Sequence, residues 1–259
     1  MKTLIISLVF ILFTVQISHS QTADEIAKKL ANPVASMISV PFQNNFDFNI
    51  KPNSGFRWTM NFQPVIPFTL NKDWNLISRT ILPVVSQFNV IGNSTQIGIH
   101  DASLSLFLSP SAPGIIWGIG PIFNIPIAAP VEYASKKWAF GPTFAGLVQE
   151  GKLTFGALFS HMWSFAGKRS YPNFSLSYLQ PFCTQNFTGG WGISLSSEMS
   201  SEWKSKTTTG AVILVGSKVT KIGGQIISFA LGPKYYFANS NKPEFGFRAS
   251  VTFVFAKSK

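Results

Sequence analysis

The chain has 259 residues, 46% of them hydrophobic and 14% aromatic, with only 12% charged and a formal net charge of +11. A charged fraction about half that of a soluble globular domain argues against an ordinary cytosolic enzyme, and 25 Phe with 7 Trp are too many for a disordered chain. The 20 Gly and 16 Pro are spread along the sequence, which argues against a long helical bundle, and the single Cys183 excludes an intramolecular disulfide or a multi-cysteine metal site.

Residues 1–20 read as a signal peptide. Lys2 supplies the positive start, Leu4 to Val15 the apolar stretch, and Ser18 and Ser20 the small residues before a cut ahead of Gln21. The apolar run is shorter than the ~20 residues a spanning helix needs. Residues 21–35 form a second unit. Thr22-Ala23-Asp24-Glu25 has the form of a capping box, Ile26 and Leu30 share one helical face, Lys28 and Lys29 sit in the last turn, and Asn32-Pro33 ends the helix. This short helix is expected either to cap a periplasmic mouth or to act as a tether.

From residue 36 to 259 the period changes to two. Phe56, Trp58, Met60 and Phe62 alternate with Arg57, Thr59, Asn61 and Gln63, and the C-terminal run from Phe245 to Phe255 repeats the pattern. Twelve such segments are predicted, at 37–50, 56–69, 74–88, 98–109, 115–127, 137–149, 153–165, 173–185, 190–200, 208–220, 225–237 and 245–256. Short turns at 70–73, 110–114, 150–152, 186–189 and 221–224 alternate with longer connections at 89–97, 128–136, 166–172, 201–207 and 238–244; only 51–55 breaks the trend. That alternation is the pattern of an outer-membrane barrel, with short periplasmic turns, longer external loops and both termini inside. The predicted fold is all-β: a transmembrane antiparallel up-and-down β-barrel of about 12 strands with a short N-terminal helix.

An Arg or Lys facing lipid at the midplane costs about 2 to 4 kcal/mol, so mid-strand charges must point inward. That rule assigns Asp47, Arg57, Arg79, Asp101, Glu198, Lys234 and Arg248 to the lumen, three acids against four bases. Their near balance suggests an ion-paired interior more than a strongly ion-selective one. Trp74, Trp117, Trp138, Trp163, Trp191, Trp203, Tyr171 and Tyr236 lie near strand ends and suit interfacial girdles. Around the external loops Lys51, Lys136, Lys137, Lys168, Arg169, Lys204, Lys206 and Lys242 outnumber Glu132, Glu202 and Glu244 by five. The expected partners are outer-membrane lipid, lipopolysaccharide at the basic rim and a small-molecule solute. Nucleic acid is a poor partner, since no basic helix or stacking platform accompanies the charge.

The strings Asn32-Pro33-Val34-Ala35-Ser36, Gln63-Pro64-Val65-Ile66-Pro67 and Asp73-Trp74-Asn75-Leu76-Ile77-Ser78-Arg79-Thr80-Ile81-Leu82-Pro83 carry a family likeness. So do Trp117-Gly118-Ile119-Gly120-Pro121, Trp138-Ala139-Phe140-Gly141-Pro142, Leu179-Gln180-Pro181-Phe182 and Gly232-Pro233-Lys234-Tyr235-Tyr236. In their order and spacing they make nearly the whole mature chain resemble the bacterial outer-membrane family described as the MetA-pathway of phenol degradation, whose members also carry the name neuromedin U. The resemblance implies an outer-membrane transporter or channel for apolar or aromatic compounds, and brings no agreed functional residues.

Pro64, Pro121, Pro142, Pro181 and Pro233 fall inside predicted strands, where proline cannot donate to the ladder. They mark either kinks that make a lateral opening or constriction, or bulges that shape a narrow barrel.

An enzymatic reading finds little support. His100 and Asp101 are adjacent and point to opposite faces unless a bulge intervenes. His161 shares an aromatic face with Phe155, Phe159 and Trp163, a placement similar to that in outer-membrane phospholipases, but Ser160 and Ser164 point the other way. The sequence has no phosphate-binding glycine motif, no His-Glu zinc motif and no calcium-spaced carboxylates, so no catalytic residue, metal or cofactor is assigned. Two functional classes stay open: a pore or transporter, and a structural or adhesive barrel whose lumen is filled by side chains and the N-terminal helix.

Overall fold

The computed structural model describes residues 22–34, 37–111, 114–129, 135–237 and 243–255. The stretch at 1–20 that is expected to direct export lies outside these residues, as do Glu132 and Lys242 among the loop charges. Among the described residues one α-helix, α1 (Ala23–Leu30), precedes the strands β1 (Ile38–Ile50), β2 (Gly55–Phe62), β3 (Val65–Thr69), β4 (Trp74–Phe88), β5 (Thr95–Ile99), β6 (Ala102–Pro110) and β7 (Ile116–Ile125). The chain continues through β8 (Lys137–Glu150), β9 (Leu153–Gly167), β10 (Ser175–Asn186), β11 (Trp191–Glu202), β12 (Thr207–Ile222), β13 (Gln225–Phe237) and β14 (Phe245–Phe255).

These strands make the 12 staves of a closed barrel, because two staves are each interrupted once. Strands β2 and β3 hold a single register against β4 (Phe62↔Leu82, Val65↔Arg79), so they are one stave broken at Gln63-Pro64. Strands β5 and β6 share the next stave but differ by one residue in register against β4 (Val84↔Ile99, Ile81↔Ser103). Every pairing is antiparallel, and β14 closes on β1 from Ile38↔Phe255 to Phe48↔Phe245. Both ends of the strand array therefore lie at the same end of the barrel, with the turns at 70–73, 151–152 and 223–224. The longer connections at 126–136 and 168–174 lie at the other end. The connection after β11 is shorter than its sequence suggests, only 203–206, because the β11–β12 ladder runs on to Glu202↔Thr207.

Alternation sorts the faces. Trp138, Phe140, Phe144, Trp163, Leu195, Leu231 and Phe247 are exposed on the outside, while Ser, Thr, Gln and the charged residues of the same strands turn in. A band of exposed aromatic and aliphatic side chains this wide is the face that lipid covers.

The capping box of α1 is formed: Thr22 Oγ1 accepts from the Glu25 amide and Glu25 Oε2 accepts from the Thr22 amide, both at 3.3 Å. Acids in the first turn and lysines in the last complement the helix dipole. The helix is no free tether. Ile26 and Ala27 pack against Met37, Val219 and Val254, the Gly190 amide donates to Asp24 Oδ1 (2.6 Å), and Gln149 Nε2 donates to the Lys28 carbonyl (2.8 Å). Gly190 (φ 76°) is required there, since a Cβ would stand 2.9 Å from the Ala23 Cβ and 2.7 Å from the Val219 carbonyl oxygen. Beyond the helix, Val34 is buried against Ile77, Phe107, Ala145, Leu147 and Leu158 on the opposite wall. The N-terminal segment thus crosses the lumen at the turn end. Burial of Ile26 and Val34 contributes about 1.5 to 3 kcal/mol each to holding it there.

Candidate functional site: the barrel lumen

Asp47, Glu198, Lys234 and Arg248 meet midway along the lumen. Arg248 on β14 makes a bidentate pair with Glu198 on β11 (Nη1 to Oε1 2.8 Å, Nη2 to Oε2 2.9 Å), and its Nε donates to Asn45 Oδ1 on β1 (2.9 Å). One step toward the loop end, Lys234 on β13 lies 3.4 Å from Asp47 Oδ1, which also accepts a hydrogen bond from the Tyr236 hydroxyl. The Lys234 ammonium stands over the Tyr236 ring, 4.5 Å from its centroid. Tyr236 therefore belongs to the lumen and not to an interfacial girdle. It is two residues from Lys234 and shares its face, while its neighbour Tyr235 is the exposed one.

The remaining lumen cations have amide partners. Arg79 Nη2 donates to Gln63 Oε1 (3.2 Å), and Arg57 Nε donates to Gln87 Oε1 (2.9 Å). Asp101 faces a different task. Its carboxylate accepts from the Ala128 amide (3.1 Å), the Ser135 amide (3.0 Å) and the Ser135 hydroxyl, fastening both ends of the connection after β7. The one-residue register offset between β5 and β6 is a bulge at His100-Asp101, and it lets both side chains turn inward. His100 Nδ1 accepts from the Asp101 amide (3.0 Å). Lys137, grouped by sequence with the loop charges, starts β8 and is buried.

Below the ion pairs lies a vestibule of about 320 Å³, lined by Arg79 and Arg248 and by a β9–β10–β11 wall on which Leu158 and Phe182 interleave with Gln180 and Ser196. The residues after α1, including Pro33 and Met37, form its floor. Near the loop end a second cavity of about 300 Å³ opens beside Arg57, Gln87 and His100.

The strand prolines interrupt ladders without inserting residues. Pairing lapses between Ser105↔Ile122 and Leu108↔Ile119, between Phe140↔Trp163 and Thr143↔Ser160, and between Ile213↔Lys234 and Gly216↔Leu231, with the register unchanged across each gap. Pro181 leaves the same kind of gap against β11. These are not bulges. On the opposite edge each ladder is continuous, and Pro121 and Pro142 face one another directly. Pro64 sits at the β2–β3 break, where its carbonyl accepts from the Thr80 amide (3.1 Å).

On the outer face, His161 does meet serines, from the neighbouring strand instead of its own. Its Nδ1 is 2.6 Å from Ser177 Oγ and its Nε2 is 3.2 Å from Ser175 Oγ, while Trp203 Nε1 donates to Ser177 Oγ (2.8 Å). The β9–β10 register (Ser177↔His161, Ser175↔Trp163) creates the cluster, which spacing within one strand could not signal. Among the described residues no carboxylate bonds the imidazole, and Trp203 spends its N–H on the serine itself.

Comparison with protein-family models and with curated proteins yields no match. Among solved structures, the COG4313 outer membrane channel from Pseudomonas putida F1 superposes with a TM-score of 0.65 over 86% of this chain and 96% of that one, at 14% identity. The NanC porin reaches 0.49 over 85% and 100% at 9% identity, and the outer membrane phospholipase of Salmonella typhi reaches 0.44 over 91% and 99% at 10% identity. The first likeness establishes that this chain has the fold of an outer-membrane barrel; the other two are too distant to add to it.

Proposed function

We propose that the chain is an outer-membrane channel for small solutes, closed at rest by its own N-terminal segment. The observation that carries this reading is the lumen itself: cavities of about 300 and 320 Å³ lie on either side of a polar, ion-paired waist, under a helix docked by few contacts. A barrel built only as a scaffold would fill that space with packed side chains. The vestibule lining mixes apolar Leu158 and Phe182 with polar Gln180 and Ser196, which suits a solute with an apolar or aromatic body and a polar group, and the resemblance to the phenol-degradation family points the same way. Export through residues 1–20 and residence in the outer membrane follow from this reading.

The test is single-channel recording from the mature chain refolded into planar bilayers, with and without residues 21–35. Discrete steps that grow on truncation are expected. A silent membrane containing folded, truncated barrel would overturn the channel reading and favour a structural barrel.

One observation favours a second reading, lipid hydrolysis: the contact between His161 and Ser177 on the lipid side. A serine–histidine pair gains most of its power from a group that orients the imidazole and from donors for the oxyanion. Among the described residues the far nitrogen meets only the Ser175 hydroxyl. Phospholipid turnover that vanishes in both Ser177→Ala and His161→Ala would establish this reading over the first; none is expected.

A further inference from the structure

We infer that the cavity at the loop end is a recognition site for a small organic acid, a single carboxylate on a compact apolar body, with Arg57 as its anchor. The inference rests on the channel reading, of which it names the solute class.

The lumen charges differ in how they are satisfied. Arg248 has Glu198, and Lys234 has Asp47. Asp47 is also the ladder partner of Arg57, Cα opposite Cα on β1 and β2, yet its Oδ1 is taken by Lys234 and Tyr236. Arg57 is left with one neutral partner, Gln87, on its Nε. That contact is itself buttressed. Gln87 is only 1% exposed, its Nε2 donates to Gln96 Oε1 (3.2 Å), and Gln96 Nε2 in turn donates to the Ile91 carbonyl (3.0 Å) and Ser94 Oγ (2.6 Å). A chain of three side chains therefore fixes the guanidinium plane by its Nε edge, and the terminal Nη1 and Nη2 are bonded to no group of the described residues. Those two nitrogens form a planar fork, the geometry that binds a carboxylate with two parallel hydrogen bonds.

The surroundings set the rest of the ligand. The cavity that Arg57 borders has about 300 Å³, the lower end of the range for small-molecule sites, so it takes a body the size of one ring. Pro83, Val85 and Ile91 supply apolar walls, and Asn61 and Thr59 give the polar edge. The nearby acid, Asp101, directs its oxygens to the backbone amides of Ala128 and Ser135 and makes no ion pair with Arg57. A phosphate would call for further cationic donors, whereas a carboxylate is satisfied by one fork. Arg79, the other lumen arginine with an amide partner, uses a terminal nitrogen for Gln63 and shares its vestibule with Arg248, so it offers no comparable free edge.

The experiment is titration of the refolded full mature chain in lipid nanodiscs with benzoate, followed by saturation-transfer NMR and calorimetry, with benzamide as the neutral isostere. Saturable benzoate binding is expected, at least tenfold tighter than benzamide. Arg57→Gln is expected to abolish it, while Arg57→Lys, which keeps the charge and loses the fork, weakens it about tenfold. Gln87→Leu leaves the cation but frees its orientation and is expected to give an intermediate loss. Resistance of each variant to unfolding in detergent at room temperature checks that the barrel has formed. Equal binding of benzoate and benzamide, or wild-type binding by folded Arg57→Gln, would overturn the inference. The two readings fail separately: Arg57-dependent binding by a barrel that passes no current would sink the channel and keep the site, and current without Arg57-dependent binding would do the reverse.

Discussion

Replacing Glu198 by Gln tests whether the lumen waist is held by charge or only filled by it. Arg248 would keep its hydrogen bond to Asn45 Oδ1 at 2.9 Å and lose the bidentate carboxylate. Removing one partner from a buried ion pair typically costs 3 to 5 kcal/mol, mostly as the penalty of the stranded charge. The Arg248 side chain is 9% exposed and that of Glu198 is 23%, so some water reaches the pair and the low end applies, about 3 kcal/mol. The double variant Glu198→Gln/Arg248→Met removes the stranded charge as well and should lie within about 1 kcal/mol of the parent, a coupling of about 2 kcal/mol or more. Reversible urea unfolding of the barrel in lipid vesicles, followed by tryptophan fluorescence, gives all four corners of the cycle. If each single substitution costs less than about 0.5 kcal/mol, or if the double variant loses the sum of the two, the waist is not an ion-paired lock and the reasoning fails.

Four further outcomes are expected. Asp24→Ala deletes the acceptor for the Gly190 amide and should loosen α1 by about 1 kcal/mol without unfolding the barrel, seen as faster amide exchange confined to residues 23–30. Gly232→Ala places a Cβ 1.8 Å from the Leu214 carbonyl oxygen and should cost about 1 to 3 kcal/mol, whereas Gly216→Ala, with nothing within 4 Å, should be close to neutral; equal effects in urea unfolding would refute the close approach. Glu244 accepts hydrogen bonds from Lys51 and Asn49, which hold its carboxyl below the usual carboxylate range. A depressed pKa means the contact is present above the unfolded value and lost as pH falls through the folded one, so acidification should release this loop tie, and Lys51→Gln should return the Glu244 titration in NMR toward the ordinary range. Cys183 is on the exposed outer face, so in vesicles it should react with lipophilic maleimides and resist charged thiol reagents; equal labelling by both would refute a lipid-facing β10.

Much of the fold is legible because its elements are long and strictly periodic. The segments at 74–88 and 225–237 coincide with β4 and β13, since the alternation is bounded by Asn, Gly and Lys turns that leave no freedom at the ends. What alternation cannot express is an offset of one residue. The bulge at His100-Asp101 reverses the parity of its stave and puts both side chains inside, an outcome no pattern of single residues announces. Nor does it give partners. Seven charges can be assigned a face from the cost of exposing them to lipid, but that Arg248 chooses Glu198, and that Arg57 has no carboxylate, depends on which staves face one another across the lumen. The same holds for His161, whose serines come from β10. Tyr236 is legible by parity and misassigned by position: sharing a face with Lys234 outweighs its nearness to the strand end.

The glycine–proline pairs decide between an axial and a lateral path. At Gly120, Gly141 and Gly232 a Cβ would stand 1.8, 1.9 and 1.8 Å from a carbonyl oxygen of the adjacent strand, so the backbones are pressed together where the ladder lapses. A missing hydrogen bond from proline opens a wall only if the strands part. Here glycine removes the side chain that would hold them apart, and the register on either side of each gap is the same. The prolines themselves lie on the outer face, where the absent N–H leaves no donor exposed to lipid. The wall is therefore sealed at these positions, and in the proposed channel a solute taken up at the loop end would travel along the axis, past the Arg248–Glu198 pair and into the vestibule floored by the N-terminal segment. Under the same proposal, control of passage would fall to the part of that route held by a handful of contacts instead of a continuous ladder: α1 and the turn that carries Val34 across the mouth.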